Sequence, residues 1–285
     1  MDGKSARRTF FKRLLSLLAF SAASTLSFQK NMGTKIGKLG LIKKAHAMNN
    51  PDYATNIPDN EIKIEYMGMS CFVVTTSNGT RIITDPFLAG PSGQILHPEL
   101  RHEPADIVTV SCGHYTHCNV FAVAGMPYIF KRTEPAEIKG ITFTGVSTRH
   151  LEMKEVSRIR PDGINFIIRF EVEGIKICHL GALGHKLSND QLKQVGKVDI
   201  LMAPVGGVST LPVKDATEVC RQLNPKVIIP MHYGSERCTC PSWATVDDFI
   251  EGKDNVIKFN GQNEMLFKST RLPSETQIIV LAYPS

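Results

Sequence analysis

Val108-Thr109-Val110-Ser111-Cys112-Gly113-His114-Tyr115-Thr116-His117 decides the reading of this chain. The apolar, β-branched run from Ile107 to Val110 has the composition of a short buried strand. It delivers a loop of small residues carrying one thiol, Cys112, and two imidazoles, His114 and His117. Donors spaced this closely after a strand can hold one or two hydrolytic metal ions. Thr116 stands among them with only a hydroxyl, which hydrogen-bonds but is no base at neutral pH.

On either side of this loop the pattern is that of strands first and strand–helix pairs later. Residues 62–66 alternate, the chain turns at Gly68, and 71–76 resume as a strand. Asn78-Gly79 is a hairpin turn, since this pair accepts the positive φ that such turns need. Strand 81–84 ends at Asp85-Pro86. Further strands are expected at 141–144, 164–172 and 175–178, the last two joined by Glu173-Gly174. Helical spacing occurs at 188–195 and 213–223, each followed by a β-rich run, 200–204 and 227–230. This order predicts an α/β domain with a mixed sheet covered by helices.

Six segments in this order resemble the metallo-β-lactamase superfamily, in particular its small metal-dependent hydrolases and the ascorbate-phosphate-lactonase-like branch. Asp85-Pro86-Phe87 is similar to the first motif, whose aspartate braces the metal loop. The 111–117 loop is similar to the second, H-x-H-x-D-H, with Cys112 and Thr116 in place of the first histidine and the aspartate. His150 stands at the third motif. His179-Leu180-Gly181-Ala182-Leu183-Gly184-His185 resembles the fourth, with Ala182 at the metal-bridging aspartate. Pro204-Val205-Gly206-Gly207 and Pro230-Met231-His232-Tyr233-Gly234 complete the set. The resemblance implies an αββα four-layer sandwich over residues 61–285 and a degenerate metal site. One metal position becomes Cys112, His114 and His150, a set that suits a single zinc ion with an open coordination position. The other keeps only His117 and His232, left as proton carriers or hydrogen-bond donors.

Plainer readings stand beside these. His97 and His102, in a loop rich in proline and charge, read as solvated. His179 and His185 flank a glycine-rich turn and read as hydrogen-bonding supports for the ligands, and Asp85, Thr116 and Ala182 read as supporting or loop-bracing positions. Cys71, Cys178 and Cys220 lie in apolar runs and read as small core hydrophobes. Cys118, Cys238 and Cys240 flank the metal motifs, and disulfides between loops, soft-metal capture and coincidence remain open. Trp243 reads as ordinary packing, or as a cover over the pocket.

The formal charge of +6 is misleading. Ten of the 33 Lys and Arg, but only one of the 27 acids, fall in residues 1–47, which leaves the remainder at −3. A slightly acidic body gives no nucleic-acid surface. Arg7-Arg8-Thr9-Phe10-Phe11-Lys12 resembles the twin-arginine export motif and precedes an uncharged run from Leu14 to Phe28. That run is shorter than the roughly 20 residues of a comfortable membrane span. Cleavage candidates are Ala45-His46-Ala47 and Ser21-Ala22-Ala23. A basic amphipathic arm that anchors to a membrane is the alternative. Residues 1–47 are thus expected to be a leader recognised by the twin-arginine machinery, 48–60 a linker, and the mature protein periplasmic. Twin-arginine substrates cross folded, often with a cofactor already loaded, which favours a bound metal.

Two functions follow. One is an exported hydrolase with a single zinc site acting on an ester, lactone or phosphoester. The other is a non-catalytic protein that binds a ligand or metal on the same fold. The rim loops 89–103, 119–128 and 235–247 are too generic to identify a small-molecule substrate.

Overall fold

The computed structural model describes residues 57–88, 100, 103–150, 163–238 and 242–283. The leader, its cleavage candidates, His97, His102, Cys240 and most of the 89–103 loop lie outside them.

The first half contains β1 (Glu61–Gly68), β2 (Cys71–Thr76), β3 (Arg81–Thr84), β4 (Glu103–Pro104), β5 (Ile107–Thr109), β6 (Val123–Ala124) and β7 (Tyr128–Phe130). The centre contains β8 (Ala136–Ile138), β9 (Ile141–Arg149), β10 (Ile164–Val172), β11 (Ile175–His179), α1 (Asn189–Val195) and β12 (Ile200–Pro204). Then come α2 (Val213–Leu223), β13 (Val227–Met231), α3 (Val246–Ile250), β14 (Val256–Lys258), β15 (Glu264–Lys268) and β16 (Gln277–Val280).

These strands form two large sheets, ordered β15-β1-β2-β3-β5-β7 and β14-β16-β13-β12-β11-β10-β9-β8. Period-two alternation explains how the first sheet is covered on both faces. Ile62, Ile64, Tyr66, Phe72, Val74, Ile82 and Ile107 enter the main core, shared with Val146, Ile168, Ile177, Leu201 and Ile229 of the second sheet. Cys71, Val73, Ile83 and Val108 point to the other face, under Phe87, Leu100, Val123 and Cys238. α1 is closed by a Ser188 capping box and stops at Gly196, whose φ is +62°. α2 ends at Asn224 in the left-handed region. Among the described residues no helix is long and apolar enough to cross a membrane.

Strand direction places the site. β3, β5 and β7 are mutually parallel. β10 runs antiparallel to both β9 and β11, so those two are parallel, and β11, β12 and β13 continue in the same sense. The carboxyl ends of β3, β5, β9, β11, β12 and β13 therefore lead into residues 85, 110–117, 150, 180–184, 205–207 and 232. Backbone bonds tie these loops across the sheets. Phe166 N–H donates to Ser111 O at 2.8 Å, His232 N–H to Met69 O at 2.8 Å, and Gly184 N–H to Arg149 O at 3.0 Å. Ligand sites at the carboxyl ends of parallel strands are the general rule in α/β sheets.

Candidate metal site

Asp85 is the fixed point of the site. It follows β3 with φ of +39° and is fully buried. One carboxylate oxygen accepts from Ser111 N–H at 2.7 Å, and the other from the Ser111 hydroxyl at 2.5 Å. The second oxygen also lies 2.7 Å from His117 Nδ1. A carboxylate offers no proton, so Nδ1 donates and the lone pair of His117 resides on Nε2, an atom shielded from solvent. A carboxylate behind an imidazole is the usual way to orient a metal-binding histidine.

His232, after β13, is also buried, with φ of +55°. Its ring lies 5.3 Å from that of His117 at an interplanar angle of 14°. Two imidazoles bound to one tetrahedral ion, with metal–nitrogen distances of about 2.0–2.1 Å, place their ring centres roughly 5 Å apart. The separation of these two buried rings matches that distance. Positions 116 and 182, where the resemblance expects carboxylates, are buried Thr116 and Ala182. Thr116 turns inward on its own loop, with its hydroxyl 2.6 Å from His114 Nδ1 and its N–H 3.4 Å from the same atom.

Cys112, His114 and His150, the expected set, lie in the loops that follow β5 and β9. Cys112 and His150 are buried, but the His114 Nδ1 is engaged by Thr116. Among the described residues no three histidine, cysteine or acidic side chains converge as a metal cage. Positions 116 and 182 lack the carboxylates that would neutralise a second ion.

His179 is buried and occupied elsewhere. Its Nε2 donates to Ser70 O at 2.8 Å, and its Nδ1 accepts from Gly181 N–H at 3.2 Å. It stands behind Asp85, 4.0 Å from Oδ2, as a support for the loops. His185 donates through Nδ1 to Lys186 O at 2.8 Å and accepts from Arg149 N–H at 3.2 Å. Gly181 is required for close approach, because a Cβ there would lie 2.3 Å from Ser111 Cβ and 2.5 Å from Asn165 Oδ1. Asn165, which the sequence did not single out, accepts from Ala182 N–H at 2.8 Å and donates to Leu180 O at 3.0 Å. It joins the start of β10 to the Gly181 turn; no motif marks it. Lys131, at the end of β7, places Nζ 3.7 Å from where a Cβ on Gly113 would sit, so a cation faces the metal loop.

The cysteines divide. Burial raises the Cys71 thiol well above its usual value and lifts Cys178 and Cys220 to about 12, so these three stay protonated and inert. Cys118 and Cys238 both pack into the cluster around Phe87 and Val73. No disulfide joins Cys118 to Cys238, and Cys240 lies outside the described residues. Trp243 packs against the same cluster, and its indole lies 4.4 Å from the His232 ring at 23°. In the main core, Tyr66, Tyr233 and Tyr283 cluster with ring centres 5.5–6.4 Å apart. Desolvation pushes the Tyr233 hydroxyl up to about 12.

Two sheets meeting at a histidine- and aspartate-bearing edge define a metallo-β-lactamase fold. A Beta-lactamase superfamily domain profile matches residues 63–232. A candidate Zn-dependent hydrolase of that superfamily from Thermotoga maritima is 35% identical, with a TM-score of 0.61 over 77% of this chain and 97% of the other. A UPF0173 metal-dependent hydrolase from Methanobrevibacter smithii is 28% identical, covering 61% of this chain and 82% of its own length. One from Thermoplasma volcanium is 25% identical, covering 61% and 85%. The chain belongs to the metallo-β-lactamase superfamily.

Proposed function

We propose that this chain is an exported metal-dependent hydrolase working with one metal ion, zinc by donor chemistry, on an ester, lactone or phosphoester. The observation that carries this is Asp85, which braces His117 through Nδ1 at 2.7 Å, with the buried His232 ring 5.3 Å from that of His117. His117 and His232 are the core ligands, and His150 or Cys112 is the third, both being buried at the same edge of the sheets. The relatives named as metal-dependent hydrolases support the reading. Zinc would supply Lewis acidity, polarising the scissile group and acidifying water. Thr116 offers no general base, so the proton falls to His114, half-buried at the mouth with the Thr116 hydroxyl on Nδ1. Lys131 favours substrates with a negative charge near the scissile bond.

Purified protein is expected to hold close to one zinc per chain. His117→Ala or His232→Ala should release most of it, whereas His114→Ala should retain it; elemental analysis at a fixed protein concentration checks this. Loss on Cys112→Ser and His114→Ala but not on His117→Ala would move the ion to the other set. No metal after exposure to zinc, manganese, iron and cobalt would favour the non-catalytic binding protein, the reading supported by the missing carboxylates.

Export is proposed on Arg7-Arg8 and the apolar run that follows. Arg7→Lys with Arg8→Lys is expected to leave the precursor in the cytoplasm, read by fractionation and immunoblot. Unchanged periplasmic accumulation would refute it.

A further inference from the structure

We propose that Asn165 is a positioning residue, a buried amide that sets the loops bearing Ser111, His150 and Ala182 in one frame. This rests on the proposed role of that edge of the sheets as a metal site. Asn165 is fully buried near the start of β10. Its Nδ2 donates to Leu180 O at 3.0 Å and to Thr148 Oγ1 at 2.8 Å, while its Oδ1 accepts from Ala182 N–H at 2.8 Å. The Thr148 hydroxyl in turn donates to Asn165 O at 3.0 Å. A carbonyl only accepts and a backbone N–H only donates, so Leu180 and Ala182 together fix which way the side-chain amide faces.

Each contact leads on to a candidate ligand. Phe166 N–H, the next along β10, donates to Ser111 O at 2.8 Å. Ser111 is bonded through its N–H and hydroxyl to Asp85, which braces His117. Thr148 stands two residues before His150, and His150 N–H donates to Gly163 O at 3.3 Å, two residues before Asn165. Gly181 is pressed between the same groups, since a Cβ there would meet both Ser111 Cβ and Asn165 Oδ1. The loops after β5, β9 and β11 therefore meet around this one side chain. Ala182 brings no carboxylate to tie its turn to a metal. Protein contacts hold the turn instead, through Asn165 and through Gly184 N–H on Arg149 O at 3.0 Å. Truncating Asn165 would take a bond from Leu180 O, Thr148 Oγ1 and Ala182 N–H at once.

Asn165→Ala deletes these bonds, and Asn165→Asp keeps the shape but sets a carboxylate oxygen where Nδ2 now donates to Leu180 O. Val219→Ala, a cavity at a buried position of α2, is the control for lost stability alone. Cobalt(II), read by its visible absorption bands, is expected to saturate the wild type at one equivalent. Both Asn165 variants should bind it about 10–100-fold more weakly, the scale for a group that supports metal ligands, with altered bands, and Val219→Ala should match the wild type. In metal-free protein the His117 and His150 ring-proton resonances should shift in both Asn165 variants and stay in place in Val219→Ala. Should the Asn165 variants not fold, Thr148→Val removes one hydroxyl and is expected to shift the same resonances, with Thr148→Ser restoring them. Shifted resonances in a protein that takes up neither cobalt nor zinc would uphold the positioning and refute the proposed function. Equal weakening of cobalt binding by Asn165→Ala and Val219→Ala would overturn the positioning, because lost stability would then account for the effect. Unmoved His117 and His150 resonances in the folded variants would overturn it whatever the metal does.

Discussion

Asp85→Ala is expected to destabilise the metal-free protein by about 3–5 kcal/mol and to abolish zinc binding. Three groups converge on this fully buried carboxylate: Ser111 N–H, the Ser111 hydroxyl and His117 Nδ1. Charge-assisted bonds contribute about 1.5–3 kcal/mol each, and removing one partner of a buried polar pair leaves the others desolvated without compensation. The loss is a large fraction of a typical total stability of about 5–15 kcal/mol. Asp85→Asn separates the two effects. It keeps the volume and one acceptor, so most of the stability should survive. Its amide also places a donor near His117 or Ser111 where only acceptors now stand, which disrupts the tautomer that puts the lone pair on Nε2. Zinc occupancy should therefore fall in both variants, and urea midpoints should fall steeply only in Asp85→Ala. A shift below about 1 kcal/mol in Asp85→Ala would mean the carboxylate is not the fixed point of the loop.

Much of the fold was legible because local chemistry and tertiary demand agreed. β2, β3, β10, β12 and α2 run over the expected residues, since alternation, the Asn78-Gly79 turn and helical spacing are local signals. β9 shows the limit. The strand expected over 141–144 continues to Arg149. A Cβ at 145 would lie 2.0 Å from Arg132 O, so glycine is there for a passing backbone and not for a turn. The strands β7, β14 and β15, at sheet edges, were missed because they are short and half-exposed, with little alternation to read. The superfamily motifs brought forward the positions of Asp85, His117, His150 and His232. They could not foretell which nitrogen each ring offers. That depends on Thr116 turning to His114 and on Trp243 crossing to His232, contacts set by packing across loops.

Cys112→His, Thr116→Asp and Ala182→Asp together are expected to rebuild a two-metal site and raise ester, lactone or phosphodiester hydrolysis on the order of 100-fold, the lower range for a supplied general base. The frame needed for this is present. Asp85 still braces His117, and Asn165 still holds the 180–182 backbone through Leu180 O and Ala182 N. Carboxylates at 116 and 182 would supply the negative charge and the bridge that hold two ions about 3.5–4 Å apart. Both positions are buried, so in metal-free protein the new charges lack partners and should lower stability by several kcal/mol. Metal should return that stability, giving the triple variant a melting temperature that climbs with zinc far more than the wild type's does. Thr116→Asp alone should also free the His114 Nδ1, now engaged by the threonine hydroxyl. Two ions with no hydrolysis would assign the cleft to binding. A folded variant with one ion would mean that Trp243, stacked on His232, bars the second, and adding Trp243→Ala to the triple variant should then admit it. Failure of that quadruple variant to gain the ion would show that the distance between the loops, and not the lost ligands, keeps this site mononuclear.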